Sequence, residues 1–230
     1  MKQLLKCLMV TLWLYNGLVY AGRPLETDDA AVNGHNTCQL DFWNETTAST
    51  RQDNFNGGCN FFGPSELSLS LGARHGDADD AHVKGFGYKH MVREFDDHRV
   101  GYGFAISTNK DYLPSQQSTR ESVATGIATV PLGSADWLMH LNLGYLRFNG
   151  LNEKDERPFA AAALDYQWTS RVGLSIESFN GAESSLSWRL GARYAIVPDF
   201  FQIDASYGSD YGQFSAARAF TIGIGITPSF

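Results

Sequence analysis

Several groups of residues in this 230-residue chain have types and spacing that could do chemistry. His140 and Asn142 stand two apart on one strand face, and a serine beside them would complete a nucleophile, a base and an orienting amide for lipid cleavage. No Gly-x-Ser-x-Gly and no His-Ser-Asn cluster accompanies them, and their face is the polar one, turned away from acyl chains. Cys38 and Cys59 could hold a metal, act as a redox pair or form a disulfide. There is no His-x-x-x-His or Cys-x-x-Cys spacing to complete a zinc site. No Lys or Arg lies within seven residues of either cysteine to lower a thiol pKa, so a disulfide is the expected state. Thr27-Asp28-Asp29 could bind Ca²⁺, but a short acidic segment reads more simply as a solvated arm. Asp165, Gln167, Glu177, Arg189, Arg193, Gln202 and Asp204 form a spaced row of polar and charged groups. His82, Lys84 and His90 read as strand or rim residues. No metal and no cofactor are expected.

The elements that must position these residues are strands. Glu66–Arg74, Arg99–Ser107, Leu186–Tyr194, Phe201–Tyr207 and Phe220–Ile226 each alternate apolar with small or polar residues. Period-two alternation on this scale specifies strands with one apolar and one polar face. The polar face holds Gly, Ser, Asn and Gln with isolated Arg, Asp and Glu, unlike the Lys- and Glu-rich exterior of a soluble sandwich or lipocalin-like barrel. The apolar face is continuous and carries Tyr102, Trp137, Tyr145, Tyr166, Trp168, Trp188, Tyr194 and Tyr207 near strand ends. Apolar groups toward lipid, polar groups toward a lumen and aromatic girdles at both interfaces are what a membrane barrel requires. Lipid tolerates no open sheet edge, so the sheet must close. The expectation is an all-β, transmembrane, antiparallel up-and-down β-barrel.

Strands are expected near 38–47, 53–61, 66–74, 82–92, 98–108, 121–131, 136–148, 159–169, 171–179, 186–197, 200–207 and 219–227. That makes about twelve, with about ten as the alternative if 53–61 is not a strand. Short turns at Thr169-Ser170-Arg171 and Pro198-Asp199 alternate with longer polar connections at Asn109–Arg120, Asn149–Arg157 and Gly208–Arg218. This asymmetry puts both termini in the periplasm. Folding the first hairpin about Ala48 and Ser49 sets Cys38 opposite Cys59, and Phe42 opposite Phe55. The Pro198-Asp199 turn likewise sets Arg193 opposite Asp204, and a loop about Glu183 sets Glu177 opposite Arg189. Opposite charges in those positions are expected to pair.

The ends carry other signals. Lys2 and Lys6 precede an apolar stretch, Cys7–Val19, and Val19-Tyr20-Ala21 ends in a small-residue cleavage pattern. The stretch is too short, and too interrupted by Asn16-Gly17, for a spanning helix. Residues 1–21 are therefore expected to be a signal peptide, 22–37 a periplasmic arm and 38–230 the barrel. A net charge of −7 and the absence of a Lys/Arg run exclude a nucleic-acid partner. Phe230, behind Phe220, Ile222, Ile224, Ile226 and Pro228 at steps of two, resembles the terminal signal that barrel-assembly machinery reads. Outer-membrane lipids and that machinery are the expected partners.

Arg23–Ala30, Gly34, Cys38–Trp43, Asp136–Tyr145 and Val197-Pro198-Asp199 are similar to outer-membrane barrels described under the meta-pathway of phenol degradation. The resemblance implies a Gram-negative outer membrane and a transport role, with no catalytic residues to carry over. The expected function is a passive channel or uptake barrel for a small-molecule solute. Two alternatives stand beside it: a closed structural or partner-binding barrel whose lumen charges pair, and a lipid-modifying enzyme.

Overall fold

The computed structural model describes residues 25–76, 80–96, 98–113, 118–134, 136–150, 154–180, 186–213 and 217–230. The expected signal peptide lies outside them. Twelve strands follow in order: β1 (Thr37–Thr46), β2 (Thr50–Asn60), β3 (Ser65–Gly76), β4 (Ala81–Arg93), β5 (Gly101–Tyr112), β6 (Thr119–Pro131), β7 (Trp137–Asn149), β8 (Lys154–Gln167), β9 (Val172–Asn180), β10 (Leu186–Val197), β11 (Phe201–Asp210) and β12 (Ala219–Ile226). Each pairs antiparallel with the next, and β1 pairs with β12, so the sheet closes as an up-and-down barrel. The segment expected at 53–61 is a full strand, which removes the ten-strand alternative.

Burial is inverted relative to a soluble domain. Leu69, Leu143, Ile176, Ile222 and Phe220 are exposed on the outer wall, Leu143 at 71%. Asp41, His140, Asn142, Asp165, Glu177, Gln202, Asp204 and Thr221 are buried inside it. Apolar area left out of contact on this scale is unfavourable in water and favourable against hydrocarbon. Trp137 stacks on Tyr166 with centroids 4.2 Å apart, and Trp188 meets Tyr207 edge-on at 5.9 Å.

The start of β1 and the end of β12 lie at one end of the barrel, the near end, with the turns after β2, β4, β6, β8 and β10. The other end is called the far end. Several expected loops are shorter than the sequence pattern implied, because β5 runs on to Tyr112, β6 begins at Thr119 and β8 begins at Lys154. Their polar residues obscure the alternation while still completing ladder hydrogen bonds above the apolar belt. The tight turn at Asp199 adopts a φ of 60°, a conformation Asp tolerates better than most residues. The first hairpin has the expected register: Cys38 faces Cys59 and the two are joined by a disulfide, while Phe42 faces Phe55 with rings 4.7 Å apart.

Candidate functional site

The lumen is the one place where the sequence-predicted residues converge, and it holds the segment before β1. That segment was expected to be solvated; instead Thr27 and Ala30 are buried to 1% and 0% exposure. It runs from Glu26, deep in the lumen, out to Asn36 at the near end, antiparallel to β1. Ala30 packs on Met91 and Ile127, with Val32 and Ala105 alongside. An extended chain has unpaired backbone donors, and where the arm is buried against the wall each needs a partner. The wall supplies them, and that is why a polar arm leaves solvent.

Glu177 of β9 is the principal acceptor. Its carboxylate takes hydrogen bonds from the Glu26 and Thr27 amides at 2.9 Å and from Thr27 Oγ1 at 2.8 Å. Asn142 of β7 works in both directions: its Oδ1 accepts from the Asp28 amide at 2.7 Å and its Nδ2 donates to the Asp28 carbonyl at 2.8 Å. The Ala30 amide donates to Thr129 Oγ1 at 2.7 Å, and Thr129 is hydrogen-bonded in turn to His140 Nδ1 at 2.9 Å. Nearer the opening, Glu66 of β3 accepts from the Asn33 amide and side chain at 2.9 and 2.8 Å. Gly58 of β2 leaves room for this, since a Cβ there would stand 2.5 Å from Glu66 Oε1.

Charges complete the arrangement. Lys89 of β4 donates to Asp28 at 2.7 Å and Asp29 at 3.0 Å, so an ammonium group occupies the position where a Ca²⁺ reading of this segment would place a metal. Arg189 of β10 reaches Glu26 at 3.0 Å, Glu45 of β1 at 3.4 Å and Glu177 at 3.9 Å. The expected register of Glu177 against Arg189 therefore holds, but the arm's Glu26 is the nearer partner. Arg193 does stand opposite Asp204 in β11, yet its side chain turns the other way and bonds Asp165 of β8 at 2.6 Å. The physical reason is Gly173 of β9, lying directly between them: a Cβ there would stand 2.5 Å from Arg193 Nε. Cross-strand arithmetic fixes the Cα partner but not which neighbouring strand a long side chain crosses.

All seven lumen residues expected from sequence thus line the interior: Asp165, Glu177, Arg189, Arg193, Asp204, His140 and Asn142. Glu177, Asn142 and Arg189 hold the arm directly, and His140 holds it through Thr129. Asp165 and Arg193 form a separate pair. Reading alternation alone missed Glu26, Lys89, Glu66 and Thr129. Lys89 had a legible signal, since it follows Gly85 and Gly87 on the inward face of β4. The acidic arm had none, because its partners come from β3, β4, β6, β7, β9 and β10.

Beside the arm remains a cavity of about 710 Å³. Its walls carry Glu26, Asp28, Asp29, Asp41, Glu45, Glu66 and Glu121 against Lys89 and Arg189, with Trp43, Phe159 and Phe179 among the uncharged lining. Acidic side chains in this lining outnumber basic ones, which gives the space a negative potential. Among the described residues no group of three His, Cys, Asp or Glu side chains is placed to hold a metal ion.

Residues 10–229 match the family model described as uncharacterised conserved protein UCP029691. No curated protein matches the chain at a significant level. Among solved structures, the KdgM porin in complex with disordered oligogalacturonate is similar at 12% identity and a TM-score of 0.60, over 84% of this chain and 99% of that one. The KdgM porin alone is similar at 13% and 0.59, over 84% and 99%. The NanC porin in a rhombohedral crystal form is similar at 8% and 0.54, with the same coverage of 84% and 99%. These likenesses establish a shared twelve-strand porin-like fold.

Proposed function

Since the chain belongs to the family described as uncharacterised conserved protein UCP029691, and its barrel is porin-like, we propose that it is an outer-membrane channel for small molecules, narrowed by its own N-terminal arm. The observation that carries this reading is a polar, charged cavity of about 710 Å³ enclosed by a wall whose outer face is apolar. Water and small solutes are stabilised inside it, and hydrocarbon is stabilised against the outside. In this reading residues 25–36 form a pore-lining arm, β1 to β12 form the barrel, and the start of β1 and the C-terminus face the periplasm. Phe230, exposed at the near-end rim with its amide bonded to the Asn36 carbonyl, is available to barrel-assembly machinery.

The neighbouring porin structure is a complex with an oligogalacturonate, a polyanion. The acid excess in this lumen supports a different preference, for neutral or cationic solutes. Small phenols, suggested by the resemblance of Arg23–Trp43 and Asp136–Tyr145 to phenol meta-pathway barrels, are uncharged at neutral pH and fit that preference. No catalytic step is part of the proposal: His140 lies within the lumen, bonded to Thr129, and Asn142 is engaged by the arm. Proteoliposome swelling tests the reading. Vesicles holding the barrel should swell in small neutral and cationic solutes and more slowly in anionic ones of equal size. Swelling no faster than that of empty vesicles for every solute would contradict it.

The arm itself supports a second reading, a closed barrel. Glu177, Asn142, Thr129, Lys89 and Glu66 all hold it in place. Swelling that appears only after residues 25–33 are deleted would select that reading over a constitutively open pore.

A further inference from the structure

We propose that the outer wall at the far end carries a docking row for a phosphorylated lipid headgroup, made of Lys84, Lys110 and Arg120. The inference rests on the outer-membrane reading, with the far end toward the outer leaflet, whose glycolipid bears phosphate groups. Lys84 of β4 pairs in register with Lys110 of β5, and Lys110 pairs with Arg120 of β6. All three share the outward face with Phe86 and Ile106, so they stand abreast on the wall and not in the lumen. Like charges directly opposite one another in an antiparallel pair repel. Their juxtaposition is stabilised by an anion that bridges them.

The surroundings point to the same ligand. The Lys84 and Lys110 ammonium groups lie 5.4 and 4.6 Å from the centroid of a single ring, Tyr112, which gathers two cations at one point. The carboxylates near by are engaged elsewhere: Asp111 pairs with Arg74 at 2.7 Å and Glu156 with Arg147 at 3.3 Å. Among the described residues none of the three cations has a carboxylate at salt-bridge distance. The row also sits at the boundary of the apolar belt. Leu71 is the register partner of Lys84, and Phe86 is two residues inward along β4, both about half exposed. Headgroup phosphates lie at that depth, just beyond hydrocarbon, and an interfacial Tyr with basic residues suits it.

The test uses the folded barrel in phosphatidylcholine vesicles doped with bisphosphorylated lipid A or with the same lipid stripped of its phosphates. Binding of the phosphorylated lipid should fall about fivefold for each cation removed, and on the order of a hundredfold in K84Q/K110Q/R120Q. The charge-conserving K84R/K110R/R120K should bind as the parent does, and inorganic phosphate should not compete at equal concentration. Equal binding by the triple Gln variant, equal binding of the phosphate-free lipid, or full competition by inorganic phosphate would each overturn the proposal. If the triple variant does not fold, as read by heat-dependent gel mobility, the three single Gln variants decide it by the same fivefold criterion. Failure of the parent barrel to insert into any vesicle would instead strike at the membrane reading itself.

Discussion

Glu177 shows what a single lumen carboxylate does: it organises three donors of the arm and lies 3.9 Å from Arg189. Hydrogen bonds to a charged group are worth about 1.5–3 kcal/mol each. Glu177→Ala should therefore weaken arm docking by about 3 kcal/mol or more, while the closed sheet stays intact. Limited proteolysis checks this, with cleavage between residues 25 and 33 in the variant and protection in the parent; equal protection would mean the arm is held elsewhere. Gly173 supports a second prediction. Gly173→Val places a branched side chain where Arg193 crosses, so Asp165 loses its partner in a buried setting. Breaking such a pair costs about 3–5 kcal/mol, and a denaturant midpoint shift against Gly173→Ser would report how much depends on bulk. The Arg193–Asp165 pair was not legible in sequence. Residue spacing names the facing Cα, Asp204, but the route of the side chain depends on which neighbour is small.

The strands were legible element by element, because alternation states both the element and its face. Polar tips of strands such as Lys110–Tyr112 and Lys154–Glu156 were not, since above the apolar belt both faces are polar and the period vanishes. The face assignment makes a quantitative prediction. Leu69→Arg or Ile224→Arg puts a cation on the lipid wall and should cost about 2–4 kcal/mol near the midplane. Ser70→Arg, one residue away on the lumen face beside Asn56, should cost less. Reversible unfolding from vesicles gives the ranking, and its reversal would invert the barrel. The first hairpin adds a covalent check. Non-reducing peptide mapping should show Cys38 linked to Cys59, and Cys38→Ser with Cys59→Ser should lower stability by at most about 3 kcal/mol, because the hairpin already constrains the same ends.

At the scale of the whole molecule, closure was legible and its contents were not. An apolar outer face demands a closed sheet, and about twelve strands follow from counting. What fills the lumen depends on contacts between the arm and six strands far from it in sequence, as between Glu26 and Glu177, so no local pattern announces it. The proposal that follows is a channel narrowed by its own arm and lined mainly by acidic side chains. Arg189→Ala takes away one of the two cations lining the cavity and should move ion selectivity further toward cations. Single-channel recording in planar bilayers tests the central claim most directly. The chain from residue 22 onward should give discrete, cation-selective steps, and deletion of residues 25–33 should enlarge them. A barrel that inserts and yet passes no current, with the arm or without it, would contradict the account.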